Sequence, residues 1–305
     1  MIFEELNLLL SENKYQEFIK LINEINIVDS AEYISTVSPE KLPKVLRLFK
    51  KDKAAEIFAE LDSEAQEMII SSLNDHEISA ILNELYIDDV MDMLDELPAN
   101  IVNRLLKTAN KQKRAEINKF LKYPDDSAGS VMTSELVRIR ADMTVAEAVE
   151  YIRNTGAHKE TVYVIYVTDK THVLKGIVEL RDLLFAQNSD LISDIMDTSV
   201  ISGLTTDDRE SIAMKISKYD LLALPIVDSE DRLVGIVTVD DALDVIEEET
   251  TEDIEIMAAM VPSDKPYLKT SVFEIFKNRI PWLLLLMLSA TITSAIISYY
   301  CYRCL

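Results

Sequence analysis

Nine carboxylates stand in the sixteen residues from Asp240 to Glu255, with no Lys or Arg among them. The apolar residues between them, Leu243, Ile246 and Ile254 included, suit one helix. On that helix Asp240/Asp244, Asp244/Glu248, Glu248/Glu252 and Glu249/Asp253 are like-charged pairs at i,i+4. Each such pair costs about 0.2–0.5 kcal/mol, so the segment forgoes roughly 1–2 kcal/mol of helix stability unless cations occupy it. The chemistry this supports is cation binding, and the alternative is a solvated acidic face. The donors are hard oxygens, the chain has only three His, and both Cys lie at the extreme C-terminus, which favours Mg²⁺ over Zn²⁺. Mg²⁺ keeps several waters, so carboxylates from separate segments can share one ion and draw domains together.

Other chemistries find little support. His76, His158 and His172 are scattered, and Cys301-Tyr302-Arg303-Cys304 has C-x-x-C spacing without a second pair. No nucleophile and base are arranged together and no glycine loop could cradle phosphate, so the expectation is that the chain is not an enzyme. A net charge of −23, from 54 acidic and 31 basic residues, argues against nucleic acid as a partner. With cysteines only at Cys301 and Cys304, a reducing cytosol is the expected surrounding, and Met1 to Leu10 reads as a first helix rather than a signal peptide.

The elements that must position the carboxylates follow from length and repeats. At 305 residues the chain exceeds one ordinary domain. Phe49, Leu61, Leu73, Leu85 and Leu97 recur every twelve residues, as do Ile57, Ile69, Ile81, Met93, Leu105 and Phe58, Ile70, Leu82, Leu94, Leu106. Each unit is two helical turns and a corner, too small to bury its own apolar face and stable only when stacked. Ser63 with Gln66 and Asn74 with Glu77 have capping-box spacing. Residues 1–123 are therefore expected to form an all-α superhelix.

A second repeat runs from Val131 to Val245. Val131-Met132-Thr133 matches Ile195-Met196-Asp197, Thr144 matches Asp208, and Gly176-Ile177-Val178 matches Gly235-Ile236-Val237. In each copy a helix such as Val145 to Ile152 precedes two β-rich runs, as in Thr161 to Thr168 and Leu174 to Glu179. That order resembles a tandem pair of α/β CBS domains. The resemblance implies adenine-nucleotide binding, with ATP near Arg181 and Asp182. The Gly-h-h-Ser/Thr-x-x-Asp stretch is intact in Gly235 to Asp241, whereas Glu179 replaces the hydroxyl residue in the first copy. A packing role is the other reading of that stretch.

From Ile280 to Tyr302 no residue is charged, a stretch of 23 that exceeds the ~30 Å hydrocarbon thickness as a helix. Pro281 suits its first turn and Trp282 the interface, while Lys265, Lys269, Lys277 and Arg279 mark the preceding side as cytosolic. Ala290, Ser294 and Ser298 form a small-residue face suited to other membrane helices.

The order of segments resembles the MgtE magnesium-transporter family. It rests on the superhelix, Tyr123-Pro124-Asp125-Asp126-Ser127-Ala128-Gly129-Ser130-Val131-Met132-Thr133, the CBS pair, Glu249-Thr250-Thr251-Glu252-Asp253-Ile254, and Arg279-Ile280-Pro281-Trp282-Leu283. The expected architecture is multidomain: N domain 1–123, CBS domains 124–191 and 192–246, an acidic plug or connecting helix with its linker at 247–279, and a first transmembrane helix at 280–305. The resemblance implies a homodimer in the cell membrane, with residues 1–279 cytosolic and Mg²⁺ as both substrate and regulator. Mg²⁺ bound between N domain, CBS pair and plug would close the pore. The implied ligands are Asp88 and Asp92 in the corner at Ile87 to Asp92, Asp208, Glu210 and Asp220 in the second CBS copy, and Asp241, Asp244, Glu249, Glu252 and Asp253 at the plug. One span cannot enclose a pore, so the conducting helices are expected to lie outside this sequence. The rival readings are a membrane-tethered adenine-nucleotide sensor and a structural adaptor.

Overall fold

A computed structural model describes residues 2–258, 260 and 271–303, so Lys265, Lys269 and Cys304 lie outside the described residues. The chain forms two compact units, Met1–Asp241 and Ala242–Leu305.

The first unit opens with α1 Ile2–Ser11, α2 Tyr15–Ile22, α3 Ile27–Ser35 and α4 Leu42–Leu46. The twelve-residue repeat then becomes α5 Lys51–Ala59, α6 Ser63–Ser72, α7 Asp75–Glu84, α8 Ile87–Glu96, α9 Ala99–Thr108 and α10 Lys111–Phe120. From α3 on most helices pack on the next but one, α3 on α5, α5 on α7, α7 on α9, α4 on α6 and α8 on α10, while α6 also meets α9, which is how short units share one core. Ile57, Phe58, Ile69, Ile70, Leu82, Leu94 and Leu105 are buried in it. Basic side chains from later helices satisfy the bare C-terminal carbonyls of earlier ones. Arg104 donates to the Ile70 and Leu73 carbonyls at 2.6 Å, and Lys113 to the Leu85 carbonyl at 2.7 Å. Asn74 and Glu77 form the expected capping box. At α6 the cap is Asp62 rather than Ser63, with its carboxylate accepting from the Ala65 N–H at 3.0 Å. Gln66 is thereby released to tie α6 to α5, donating to the Phe58 carbonyl at 3.1 Å.

The rest of the unit is two small sheets. The first copy contains β1 Arg138–Arg140, α11 Val145–Thr155, β2 Val164–Thr168, β3 Leu174–Glu179, α12 Leu180–Phe185 and α13 Ile192–Ile195. The second contains β4 Gly203–Leu204, α14 Arg209–Tyr219, β5 Ala223–Val227 and β6 Leu233–Thr238. In both, a parallel pair is followed by an antiparallel hairpin, with orders β1-β2-β3 and β4-β5-β6. Strand β2 begins at Val164, three residues later than the β-rich run, because Thr161 turns the chain by accepting from the Tyr163 N–H. Thr144 and Asp208 each cap the helix that follows, α11 and α14, as their alignment in the repeat requires.

The two copies complete each other. Thr133, ahead of the first copy, bridges Ile236 on β6, and Asp197, ahead of the second, bridges Ile177 on β3. The matched glycines make this possible. A Cβ on Gly235 would lie 2.6 Å from the Thr133 carbonyl oxygen, and one on Gly176 would lie 2.7 Å from that of Asp197. Still earlier, the N–H groups of Ala128 and Gly129 donate to the carbonyls of Asp207 and Thr205 at 2.7 and 3.0 Å, stitching the lead-in to the second copy.

Helix α15, Val239–Met257, follows β6 without a break and runs through residue 246 into the second unit. That unit also holds α16, Val272–Arg303. Pro281 lies inside α16 rather than in its first turn: Phe273, Ile275 and Phe276 extend the apolar helix upstream, at the loss of the bond Pro281 cannot donate. Among the described residues α16 is the one helix long and apolar enough to cross a membrane, over Ile275–Tyr299, with mean hydropathy 2.1.

Candidate metal centre

Asp88 lies in the first turn of α8, not in a corner. Burial of Ile87, Val90 and Met91 fixes the helix so that Asp88 points inward, and it is 6% exposed. Its Oδ1 accepts from the Asp89 N–H at 3.1 Å. Asp241 lies in the first unit where β6 passes into α15, held by the Thr238 hydroxyl and by the Thr238 N–H at 3.3 Å. Glu160 lies between α11 and β2, its N–H donating to the Glu135 carbonyl at 2.8 Å. Its Oε2 is buried without a hydrogen-bond partner.

These groups act on one another as like charges. Burial pushes the Asp88 carboxyl well above the usual range, and the charges of Asp241, Asp89 and Glu160 push it further. Burial raises Glu160 to about 7, with Asp241, Asp89, Asp240 and Glu135 adding to it. Asp89 and Asp241 are each raised to about 6, again chiefly by burial. The Tyr86 hydroxyl is raised by burial and by Glu160, Glu135, Asp88 and Asp89, so it borders the same cluster. Lys113 acts on Asp89 with opposite sign, but its ammonium is engaged by the Leu85 carbonyl and lies 3.8 Å from Glu116.

Asp88 and Asp241 are thus brought together, although far apart in sequence. Asp92 is exposed on α8. Asp208 is committed to capping α14, Glu210 is exposed in its first turn, and Asp220 closes the helix in the left-handed region at φ 52°. Asp244, Glu249, Glu252 and Asp253 belong to the second unit, along α15. Asp89, Glu135, Glu160 and Asp240 join the cluster without having been singled out as ligands. Asp89 adjoins Asp88, whereas Glu160 carries no pattern that would have marked it.

Among the described residues no three carboxylate, imidazole or thiol side chains are grouped so as to hold a metal ion. The donor chemistry still suits Mg²⁺: the oxygens are hard, Asp88 is buried with no counterion among the described residues, and one Glu160 oxygen is buried without a hydrogen-bond partner. In the first CBS copy Arg181 is exposed, 3.1 Å from Glu179 and 3.7 Å from Asp182, so the substituted Glu179 competes for the cation a phosphate would seek.

A helical repeat followed by two small α/β copies that complete each other's sheets, and by one helix long and apolar enough to cross a membrane, defines the class. Residues 25–126 match the family described as the MgtE intracellular N domain, and residues 128–189 and 192–248 match the CBS domain. The chain is 37% identical over 292 residues to the magnesium transporter MgtE of Thermus thermophilus, covering 94% of this chain and 65% of that protein. It is 32% identical over 306 residues to that of Bacillus subtilis, covering 98% and 67%. It therefore spans about two-thirds of the length of these relatives. Among solved structures, the soluble part of a magnesium transporter aligns with TM-score 0.77 and 31% identity, over 81% of this chain and 98% of that one. The cytosolic domain of the Mg²⁺ channel MgtE in complex with ATP aligns with TM-score 0.74 and 36% identity, over 80% and 99%. The chain belongs to the MgtE magnesium-transporter family, and these relatives are transporters, not enzymes.

Proposed function

We propose that this chain is the cytosolic Mg²⁺-sensing and gating region of a homodimeric magnesium transporter of the cell membrane, with residues 1–279 cytosolic. The observation that carries this reading is the buried Asp88, raised by the charge of Asp241 and with no counterion among the described residues. Two like charges in a poorly solvated junction oppose the packing of the helical N domain onto the CBS pair. A divalent cation reverses the sign of that interaction. Because Mg²⁺ dehydrates reluctantly, a hydrated ion bridges carboxylates that do not close into a cage.

In this reading the domains are N domain 1–123, CBS 124–191 and 192–246, plug and linker 247–279, and transmembrane helix 280–305. Asp92, Asp208, Glu210, Asp220, Asp244, Glu249, Glu252 and Asp253 supply further weak sites or shape the field. Mg²⁺ favours the packed form by the ratio of its affinities for the two forms, and several weak sites make the response steep. Through α15 the packed form closes the pore. ATP is a second ligand, at Arg181 and Asp182, supported by the ATP complex of the similar cytosolic domain.

Limited proteolysis of the purified chain against Mg²⁺ tests this. Protection of the segment joining α10 to β1 is expected to rise with Mg²⁺ and to weaken in Asp88→Asn. Equal protection by NaCl at matched ionic strength would overturn it.

A further inference from the structure

The matched ends of the two hairpins carry different chemistry. Gly176-Ile177-Val178 aligns with Gly235-Ile236-Val237, so Glu179 takes the place of Thr238, Arg181 that of Asp240 and Asp182 that of Asp241. In the second copy the Thr238 hydroxyl and N–H both donate to the Asp241 carboxylate. In the first copy no hydroxyl stands at that position and the pairing moves, with the Arg181 guanidinium 3.1 Å from Glu179 and 3.7 Å from Asp182. All three side chains are open to solvent, between 46% and 70% exposed, so a ligand can reach them. Tyr163 adjoins them: its carbonyl accepts from the Leu180 N–H at 2.9 Å, and its side chain is exposed.

These groups suit the parts of an adenine nucleotide unequally. A carboxylate such as Asp182 accepts from the paired hydroxyls of a ribose. An exposed aromatic ring such as that of Tyr163 carries a purine face. A phosphate chain needs positive charge, and here it would have to draw Arg181 from two carboxylates and then lie beside both. Over Glu179, Arg181 and Asp182 the charge sums to −1, so each added phosphate meets repulsion that a nucleoside escapes. With a hydroxyl residue at this position, as Thr238 has it, the sum would be zero and a neutral donor would face the phosphates.

We propose that Glu179 is a specificity-determining residue of this site, directing it toward adenine nucleosides with few or no phosphates and against ATP. This rests on the nucleotide reading above and narrows its ligand class. Ion pairs this exposed are weak, so the pairing does not lock Arg181 away. The discrimination comes from the charge that Glu179 adds beside it.

The test is equilibrium dialysis of the full chain in detergent against adenosine, AMP and ATP, in chelator so that no metal complexes the phosphates. The wild type is expected to bind adenosine about tenfold more tightly than ATP, with AMP between them. Glu179→Gln keeps the length and removes the charge. It should strengthen ATP binding about tenfold, the order of one like charge at a partly solvated site, and leave adenosine within about twofold. That retained adenosine affinity also shows the variant to be folded. In the Glu179→Gln background, Arg181→Gln should cost more ATP affinity than in the wild type, because only there is the guanidinium available to phosphate. Added NaCl should narrow the gap between adenosine and ATP. A wild type that prefers ATP, or equal shifts for adenosine and ATP in Glu179→Gln, overturns the role of Glu179 and leaves the nucleotide reading standing. Binding of no adenine ligand by either form overturns that reading and this one with it.

Discussion

Asp88 and Asp241 act on each other as like charges: after burial, the charge of Asp241 is the largest influence raising the Asp88 carboxyl. Asp88 stands buried in the first turn of α8, and Asp241 in the first turn of α15, where it accepts from Thr238.

The first consequence is a pH dependence of fixed sign. Asp89 and Asp241 titrate near 6 and Glu160 near 7 in the folded chain, and Asp88 is raised as well, whereas unfolded carboxylates titrate near 4. Between about pH 4 and 7 the folded form therefore binds more protons, and stability falls as pH rises through that window. Melting temperatures in chelator are expected to drop from pH 5 to pH 7.5. Saturating Mg²⁺ should flatten the upper part of that slope, because the ion replaces the protons.

Replacing Asp244 and Glu252 by Asn and Gln removes three of the four i,i+4 repulsions on α15. Helix stability should rise by about 1 kcal/mol in chelator, and the response to Mg²⁺ should weaken. Exchange rates of α15 amides with and without Mg²⁺ check both halves. An unchanged Mg²⁺ response would separate α15 from sensing.

Gly235→Ala should destabilise the CBS pair by about 1–3 kcal/mol, since its Cβ would press on the Thr133 carbonyl, and Gly176→Ala should do the same against Asp197. Urea denaturation of each variant measures this. Comparable losses are expected because the two contacts are the same contact made twice.

Thr144→Ala is expected to cost about 1 kcal/mol by opening the capping box with Glu147 at the start of α11. Denaturant midpoints read the loss, and Thr144→Ser should restore most of it.

What the sequence makes legible is what repeats locally. The three apolar registers predict helices starting every twelve residues because each position meets its counterpart one unit along, and the structure has them at Lys51, Ser63, Asp75, Ile87, Ala99 and Lys111. The alignment of Thr144 with Asp208 carries over to the helix caps for the same reason. Local ambiguity defeats the reading at α6, where Asp62 and Ser63 are both good caps and only the helix start decides between them. Pro281 misleads in a similar way, since its preference for a first turn yields to the apolar run around it. The acidic character of the site is visible in Asp240 to Glu255, but the meeting of Asp88 with Asp241 depends on tertiary packing. Glu160 is silent in the sequence because the burial of its Oε2 follows from packing and not from any spacing.

The stitching of the lead-in carries a mechanical consequence. Before the chain forms β1 it has bonded Ala128 to Asp207, Gly129 to Thr205 and Thr133 to Ile236, all in the second copy. The strand holding Ile236 runs directly into α15. A displacement of α10 is therefore handed through these backbone bonds to the strand from which α15 departs, while the Glu135 carbonyl, which accepts from the Glu160 N–H, hands part of it to the first copy.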